Sequence, residues 1–302
     1  MDDVLFFINP KSQEGNAMKL WKKARSHEPS LPAEPYDVTS HDVAALIKKK
    51  KPKYIAIAGG DGTINSICQI VASMEHKPIL SIIPMGFGNA VSYCLGVETP
   101  EKAIKVLKQR KYTLEVDTMH TNIPNHELGI FNISAGFDAR IVLNRQTHRY
   151  IGIRSYFIAA LRSLVDHTEQ EITLTIDKNV KLTAKASSLV IANCPVIGQN
   201  YIVSPKAKMN DGLLDCTLFS TKFDYITNLR FRGFKHPLYN EMGKVRFKAS
   251  HIKIEGEPYV QIDGDPVVEK EGVEVFIKPK TLTFLRNERS SINQLYTPYL
   301  SK

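Results

Sequence analysis

The sequence predicts an α/β chain: a three-layer N-terminal domain on a mostly parallel sheet, followed by an antiparallel β-sandwich. Up to about residue 112, short unbroken apolar runs alternate with segments of helical spacing, as in parallel strands covered on both faces. Beyond it, apolar residues recur at every second position with turn residues between, as in an antiparallel sandwich. The third observation is the run Tyr54-Ile55-Ala56-Ile57-Ala58, which stops at Gly59-Gly60-Asp61-Gly62-Thr63. It passes through Ile64-Asn65 into helical spacing at Ile64, Ile67, Ile70 and Val71, and so reads as strand, tight turn and helix.

In order, Val4-Leu5-Phe6-Phe7-Ile8 reads as a strand ended by Asn9-Pro10 and a small polar loop, then a helix carrying Met18, Leu20, Trp21 and Ala24. A strand near 36–38 precedes a helix over 42–50, with Thr39 or Ser40 as its expected cap. After the central strand and turn, the helix runs to about Met74, and Ile79-Leu80-Ser81-Ile82-Ile83 is another buried strand. Residues 99–110 are helical by Ala103, Ile104 and Leu107. Ligands of such sheets sit at the carboxyl ends of the strands. That rule places the loops at 9–15, 39–40, 59–63 and 84–89 on one edge.

Strands are then expected around 114–117, 172–176, 182–186, 189–191, 214–218, 245–247, 252–254, 260–262, 273–277 and 282–284. Helices are expected near 139–144, 155–167 and 225–234. The last is basic on one side (Arg230, Arg232, Lys235) and reads either as a cover for the sandwich or as a membrane-surface helix. The expected domains are 1–120 and 121–286, with a tail, 287–302, that is loosely ordered or returns to the first domain.

The 302 residues, 43% apolar and 24% charged, are globular values with room for two cores. Four widely spaced cysteines without a Cys-x-x-Cys pair argue against a zinc site or a disulfide framework and for a reduced, cytoplasmic setting. No signal peptide and no 18-residue apolar window is found, so export by that route and a membrane span are not expected. The net charge of +9 points to a polyanionic partner. No nucleic-acid module is recognised, which leaves a nucleotide or an anionic membrane surface.

Three glycines within four positions let backbone N–H groups and a helix N-terminus face a phosphate. Asp61 is odd in such a site unless it binds Mg²⁺, accepts N–H bonds or handles a proton; the plain alternative is that it caps the helix. Lys208-Met209-Asn210-Asp211-Gly212-Leu213 suits a hard cation, with one carboxylate plus backbone oxygens, or is simply an Asp-Gly turn. Asp263-Gly264-Asp265-Pro266 is a hairpin turn or a source of a carboxylate base. No Walker sequence is present.

Pro84-Met85-Gly86-Phe87-Gly88-Asn89-Ala90, about twenty residues after the first glycine turn, completes a pair of motifs. Together they resemble the diacylglycerol kinase and sphingosine kinase catalytic family, and most of all its small bacterial lipid kinases. Asn9-Pro10-Lys11-Ser12, Phe131-Asn132, Gly136-Phe137-Asp138-Ala139, Asn193, Gly198, the run from Pro205 to Asp215 and Gln261-Ile262-Asp263-Gly264-Asp265-Pro266 extend the resemblance along the chain. It implies that Gly59, Gly60, Asp61, Gly62, Thr63, Ile64, Asn65 and Thr39 hold ATP; Asn9, Ser12, Gly86, Phe87, Gly88 and Asn89 are the further candidates. It implies Mg²⁺ on Asp211 and the carbonyls of Lys208 and Leu213. Asp265 stands where the family has a Glu proposed as general base, with Asp263 in reserve. Two positions depart: Gln13 replaces a usual Gly, and Phe87 replaces a Thr or Ser whose hydroxyl contacts the nucleotide. Phe87 offers instead a ring to stack on adenine or to block some of the cleft.

The expected activity is transfer of the γ-phosphate of ATP to the hydroxyl of a membrane lipid, diacylglycerol first. A sphingoid base, ceramide, another glycerolipid and, more remotely, NAD are alternative acceptors. From another class, Phe87 keeps open a catalytically weak nucleotide- or lipid-binding regulator. Peripheral contact with an anionic membrane is expected, nucleic acid is not, and a homodimer is left open.

Overall fold

The computed structural model describes residues 1, 3–146, 154–197, 201–228, 230–231 and 243–288. The chain forms two compact units, Met1–Val116 with the described residues from Lys280 on, and Asp117–Pro279. Residues 280–286, which the sequence assigns to the second domain, thus group with the first unit.

The first unit runs β1 (Val4–Ile8), α1 (Ala17–His27), β2 (Tyr36–Asp37), α2 (Val43–Lys50), β3 (Tyr54–Gly59), α3 (Asp61–Ala72), β4 (Ile79–Pro84), α4 (Ala90–Cys94) and α5 (Pro100–Gln109). Every residue of β3 is buried, which is why it reads as an unbroken apolar run. The parallel order is β2-β1-β3-β4. Strand order therefore reverses between β1 and β3, the point where such sheets open a crevice at their carboxyl ends. Asp42, rather than Thr39 or Ser40, caps α2, its carboxylate accepting the Ala45 N–H at 3.0 Å. Thr39 is committed elsewhere: its N–H and hydroxyl both donate to Asp37 Oδ1, at 2.7 and 2.8 Å. Thr99 caps α5, and Arg110 closes it in the left-handed region.

The second unit runs β5 (Thr113–Thr121, which begins in the first unit), β6 (Leu128–Gly129), β7 (Asn132–Gly136), α6 (Phe137–Arg145), α7 (Arg154–Asp166), β8 (Gln170–Ile176), β9 (Val180–Ala186) and β10 (Ser188–Ala192). Then follow β11 (Val196–Ile197), β12 (Tyr201–Ile202), β13 (Leu214–Phe219), α8 (Lys222–Asn228), β14 (Arg230–Phe231), β15 (Lys244–Ala249), β16 (His251–Glu255), β17 (Tyr259–Ile262), β18 (Asp265–Val268) and β19 (Val273–Leu285). Six strands, β15-β13-β10-β7-β17-β18, form one antiparallel sheet. On one face of it, Ile133, Leu189, Ile191, Cys216 (the register partner of Ile191) and Val260 pack on Ile172, Leu174, Ile252, Ile254, Val273 and Val275 of a second antiparallel layer. On the other face, Val190 and Phe219 pack with Phe137, Val203 and Tyr225. The alternation of these two sets along β10 is the period of two that the sequence displays.

Two expectations are corrected here. The helix expected over 225–234 is α8, ending at Asn228, whose side-chain amide turns back to donate to the Asp224 carbonyl at 2.6 Å. Arg230 and Phe231 then form a two-residue strand, while Arg232, Phe234 and Lys235 lie outside the described residues, as does Gly198. The strands expected at 273–277 and 282–284 are the single strand β19, which continues through Pro279 and a left-handed Lys280 (φ 52°). Among the described residues, no helix is long and apolar enough to cross a membrane.

Candidate functional site

In the first unit, register brings the loops together. Ile8 pairs with Ala58 and with Asp37, and Gly59 with Pro84, so the loops after β1, β2, β3 and β4 leave one edge of the sheet. The Asn9 amide donates to Thr63 Oγ1 at 3.0 Å, tying the first loop to the glycine turn. Ser12 belongs to the turn that follows, its N–H donating to the Asn9 carbonyl.

The two glycine turns touch backbone to backbone. A Cβ on Gly86 would stand 2.5 Å from the Gly60 Cα, and one on Gly59 would stand 2.7 Å from the Thr63 Cβ, closer than real side chains approach. Gly62 differs, because a Cβ there would meet nothing within 4 Å. The space beside the first turn of α3 is open at the helix end where N–H groups attract anions. Asp61 lies in this first turn; the capping position is Gly60, and no side-chain cap is formed. Ile64 and Asn65 are buried within α3, and Asn65 Oδ1 accepts the Gln69 amide at 2.6 Å.

Asn89, buried with φ 47°, holds the second turn: its amide donates to the Gly86 carbonyl at 2.7 Å and its Oδ1 accepts the Gly86 N–H at 3.0 Å. Gly88 is half-buried beside Phe87, which is 40% exposed. Gln13, with φ 52°, donates from Nε2 to the Gly86 carbonyl at 3.4 Å, a link between loops that a glycine would lack.

In the second unit, Asp263 and Gly264 have φ 49° and 91° and form the two-residue loop of the β17–β18 hairpin, in which Ile262 pairs with Asp265. The buried Asp263 carboxylate is an internal anchor. Its Oδ2 accepts the Ile130 N–H at 2.6 Å, and its Oδ1 accepts those of Phe131 and Asn132, both at 3.0 Å. Gln261 supports the same turn, its Oε1 accepting the Gly264 N–H at 2.7 Å. Its amide donates to Asn132, Ser134 and Asp138. Asp138, to which Ser134 and Tyr225 also donate, is buried, and burial raises its pKa against those hydrogen bonds. Asp265 is exposed at the start of β18.

The Asp211 loop is organised by Asp117 and Lys248, which the sequence did not single out, together with Asn193 and Asp215, which it did. Asp117 is buried and its Oδ2 accepts the Gly212 N–H at 2.7 Å; Asn193 donates to the Asp117 carbonyl at 2.8 Å. Asp211 Oδ1 accepts the Leu213 N–H at 3.2 Å, and Oδ2 accepts from Lys248 Nζ at 2.7 Å. Lys248 also reaches Asp215 at 3.2 Å, across the strand register Asp215–Lys248. Burial opposes the Lys248 charge, but the two carboxylates outweigh it and its pKa is raised. Burial raises that of Asp215, against the pull of Lys248. The Lys208 backbone also opposes that rise. Among the described residues no group of three or more His, Cys, Asp or Glu side chains could hold a metal ion, and a cation at this loop would share Asp211 with the Lys248 ammonium.

The parallel sheet with its touching glycine turns and the antiparallel sandwich that follows each match a known family. A family model described as the diacylglycerol kinase catalytic domain matches residues 3–121, and one described as the YegS C-terminal NAD kinase beta sandwich-like domain matches 131–286. The chain belongs to this diacylglycerol kinase and YegS-like lipid kinase family. A diacylglycerol kinase of Mycobacterium tuberculosis (strain H37Rv) is 26% identical over 268 residues, 84% of this chain and 85% of its own length. An uncharacterised protein of Synechocystis is 29% identical over 216 residues, 68% of this chain; the match spans about half (48%) of that relative. In fold, a crystal structure of a diacylglycerol kinase from Bacillus anthracis matches with TM-score 0.67 at 20% identity, covering 94% of this chain and 97% of that one. An NAD kinase from Archaeoglobus fulgidus in complex with ATP matches with TM-score 0.51 at 14% identity, covering 97% and 99%.

Proposed function

We propose that the protein is an ATP-dependent lipid kinase that transfers the γ-phosphate to the hydroxyl of a membrane lipid, diacylglycerol being the first candidate. The observation that carries this reading is the open space beside Gly62, at the N-terminus of α3 and at the reversal point of the sheet. There the phosphates of ATP meet N–H donors and a helix dipole, with Asn9, Ser12, Thr39 and the turns 59–65 and 86–89 around the nucleotide. The ATP held by the NAD kinase of like fold supports the donor, and the name of the M. tuberculosis relative supports the acceptor.

In the transfer, the acceptor oxygen forms a bond to the γ-phosphorus as the bond to the bridging oxygen of ADP breaks, and the hydroxyl proton passes to Asp265. The exposure of Asp265 and the internal commitment of Asp263 favour this choice of base. Mg²⁺, when bound, supplies positive charge; Asp211 with the carbonyls of Lys208 and Leu213 would hold one ion. Asp61 orders phosphate or metal at the start of α3.

The test incubates the protein with γ-³²P-labelled ATP, Mg²⁺ and a panel of diacylglycerol, monoacylglycerol, sphingosine and ceramide, with products separated by thin-layer chromatography. Labelled phosphatidic acid is expected, and Asp61→Asn is expected to lower kcat by roughly 10²-fold. A folded protein that labels no lipid refutes the reading.

A further inference from the structure

The first unit has a second concave site, apart from its glycine turns. A cleft of about 580 Å³ opens between α5 and the segments that lead into β5 and out of β19. One wall is a face of α5, where Lys102, Lys105 and Gln109 recur at helical spacing above the buried Val106. The other wall is Lys111 and Tyr112 together with Arg286 and Glu288. Hydrogen bonds fix this second wall. The Arg286 N–H donates to the Tyr112 carbonyl and its Nε to the Thr113 carbonyl, both at 3.1 Å, while the Asn287 N–H donates to the Leu95 carbonyl at 2.9 Å. The Tyr112 hydroxyl donates to Glu288, and the Lys111 ammonium stands 5.1 Å from the Tyr112 ring centre.

Four cations thus line the cleft against one carboxylate, Glu288, which already accepts from Tyr112. Other cations on and beside α5 are matched by acids: Lys102 pairs with Glu98 at 2.9 Å, Lys108 with Glu28 at 2.6 Å and Arg110 with Asp3 at 2.5 Å. Lys105 has no carboxylate partner among the described residues. A concave surface with unbalanced positive charge concentrates anions. The lining selects among them. Val106 is the sole aliphatic side chain among the described lining residues, so an acyl chain would find little to pack on, whereas Gln109 and Asn287 present amides. Lys102 and Lys105 stand on one wall, Lys111 and Arg286 on the other, so a ligand with two anionic groups engages more of them than a single phosphate does. The volume is that of a small-molecule site. We propose that this cleft binds a water-soluble compound bearing two phosphate groups, of the sugar bisphosphate class. The inference goes beyond the lipid-kinase reading and does not depend on it, since no lining residue belongs to the loops at 9–15, 39–40, 59–65 or 84–89.

The experiment titrates the full chain with fructose 1,6-bisphosphate and with inorganic phosphate by calorimetry, at one fixed ionic strength. The bisphosphate is expected to bind about tenfold more tightly than inorganic phosphate, or better. Lys105→Ala is expected to weaken bisphosphate binding about tenfold, the loss of one charge-assisted contact, with an unchanged melting temperature because the side chain is exposed on a helix. Lys48→Ala, at an exposed cation near the end of α2, controls for net charge and is expected to leave the affinity unchanged. Gly62→Ala controls for binding at the glycine turn and is expected to do the same. Equal affinity of wild type and Lys105→Ala overturns the proposal, as does equal affinity for the bisphosphate and inorganic phosphate. Equal weakening by Lys105→Ala and Lys48→Ala overturns it in favour of attraction to the net charge. Weakening by Gly62→Ala with none by Lys105→Ala overturns it in favour of the nucleotide turn.

Discussion

Replacing Asp263 and Asp265 separately distinguishes an anchor from a base within one hairpin. In Asp263→Asn, the remaining carbonyl oxygen can take the place of Oδ1 and keep the N–H bonds of Phe131 and Asn132. The new amide then faces the Ile130 N–H, donor against donor, where Oδ2 had accepted at 2.6 Å. One buried N–H without an acceptor costs roughly 1–3 kcal/mol, and two bonds weakened from charged to neutral cost about 0.5–1 kcal/mol each, about 3 kcal/mol in all. For a unit of the size of Asp117–Pro279 that lowers its Tm by about 6–12 °C. Asp265→Asn changes an exposed side chain, so its Tm should move little, while loss of the proton acceptor lowers kcat by roughly 10²- to 10⁴-fold. Differential scanning calorimetry and labelled-lipid assays on both variants check this. An unchanged Tm in Asp263→Asn refutes the anchoring account, and wild-type kcat in Asp265→Asn refutes the base.

Gly62→Ala adds a methyl group to open space in a helix, so it should leave Tm equal or higher while weakening ATP binding by calorimetric titration; Gly86→Ala, which must push the Gly60 and Gly86 backbones away from each other, should lower both. Unaltered ATP affinity in Gly62→Ala would place the phosphates elsewhere. Glu257 is buried, and burial raises its pKa above the ordinary 4.5 despite the Tyr259 N–H and Arg140. A raised carboxylate pKa favours the folded state in acid, and that stability is lost as pH rises through the folded pKa. Glu257→Gln keeps an acceptor for the Tyr259 N–H, so the variant should be more stable than wild type at about pH 8 in urea, with the gap closing as the pH falls towards the ordinary carboxylate value. A less stable variant in the alkaline range contradicts the assignment. Lys248→Met removes the ammonium from Asp211 and Asp215, so millimolar Mg²⁺ should raise the Tm of the variant more than that of wild type; equal shifts would show that Lys248 does not compete for the site.

Local signals explain what can be read without coordinates. β1, β3 and β4 are apolar runs because they are buried, and the glycine turns that follow β3 and β4 carry their own stereochemistry. The sequence divides β19 because Pro279 ordinarily demotes a central strand. It extends α8 because apolar spacing continues past Asn228, whereas Arg230 and Phe231 pair with β12, a register that local spacing does not encode. The two-residue strands β6, β11, β12 and β14 are too short to have a period at all.

Residues of the second unit are harder to read because their partners are distant in sequence. Lys248 reaches Asp211 only because β13 and β15 pair with Asp215 opposite Lys248, and nothing within a few residues of either position encodes that register. The choice between Asp263 and Asp265 has the same origin. On a continuous strand the two side chains would share one face, and their roles could not be told apart by spacing. Left-handed φ at Asp263 and Gly264 ends β17 instead, turning Asp263 inward onto the N–H groups of residues 130–132 while Asp265 opens the next strand in the exposed position. An anchor made to a segment more than 130 residues away, at a separation of 131 to 133 positions, thus fixes the hairpin, and the fixed hairpin keeps the second carboxylate at the surface, where the proposed proton transfer needs it.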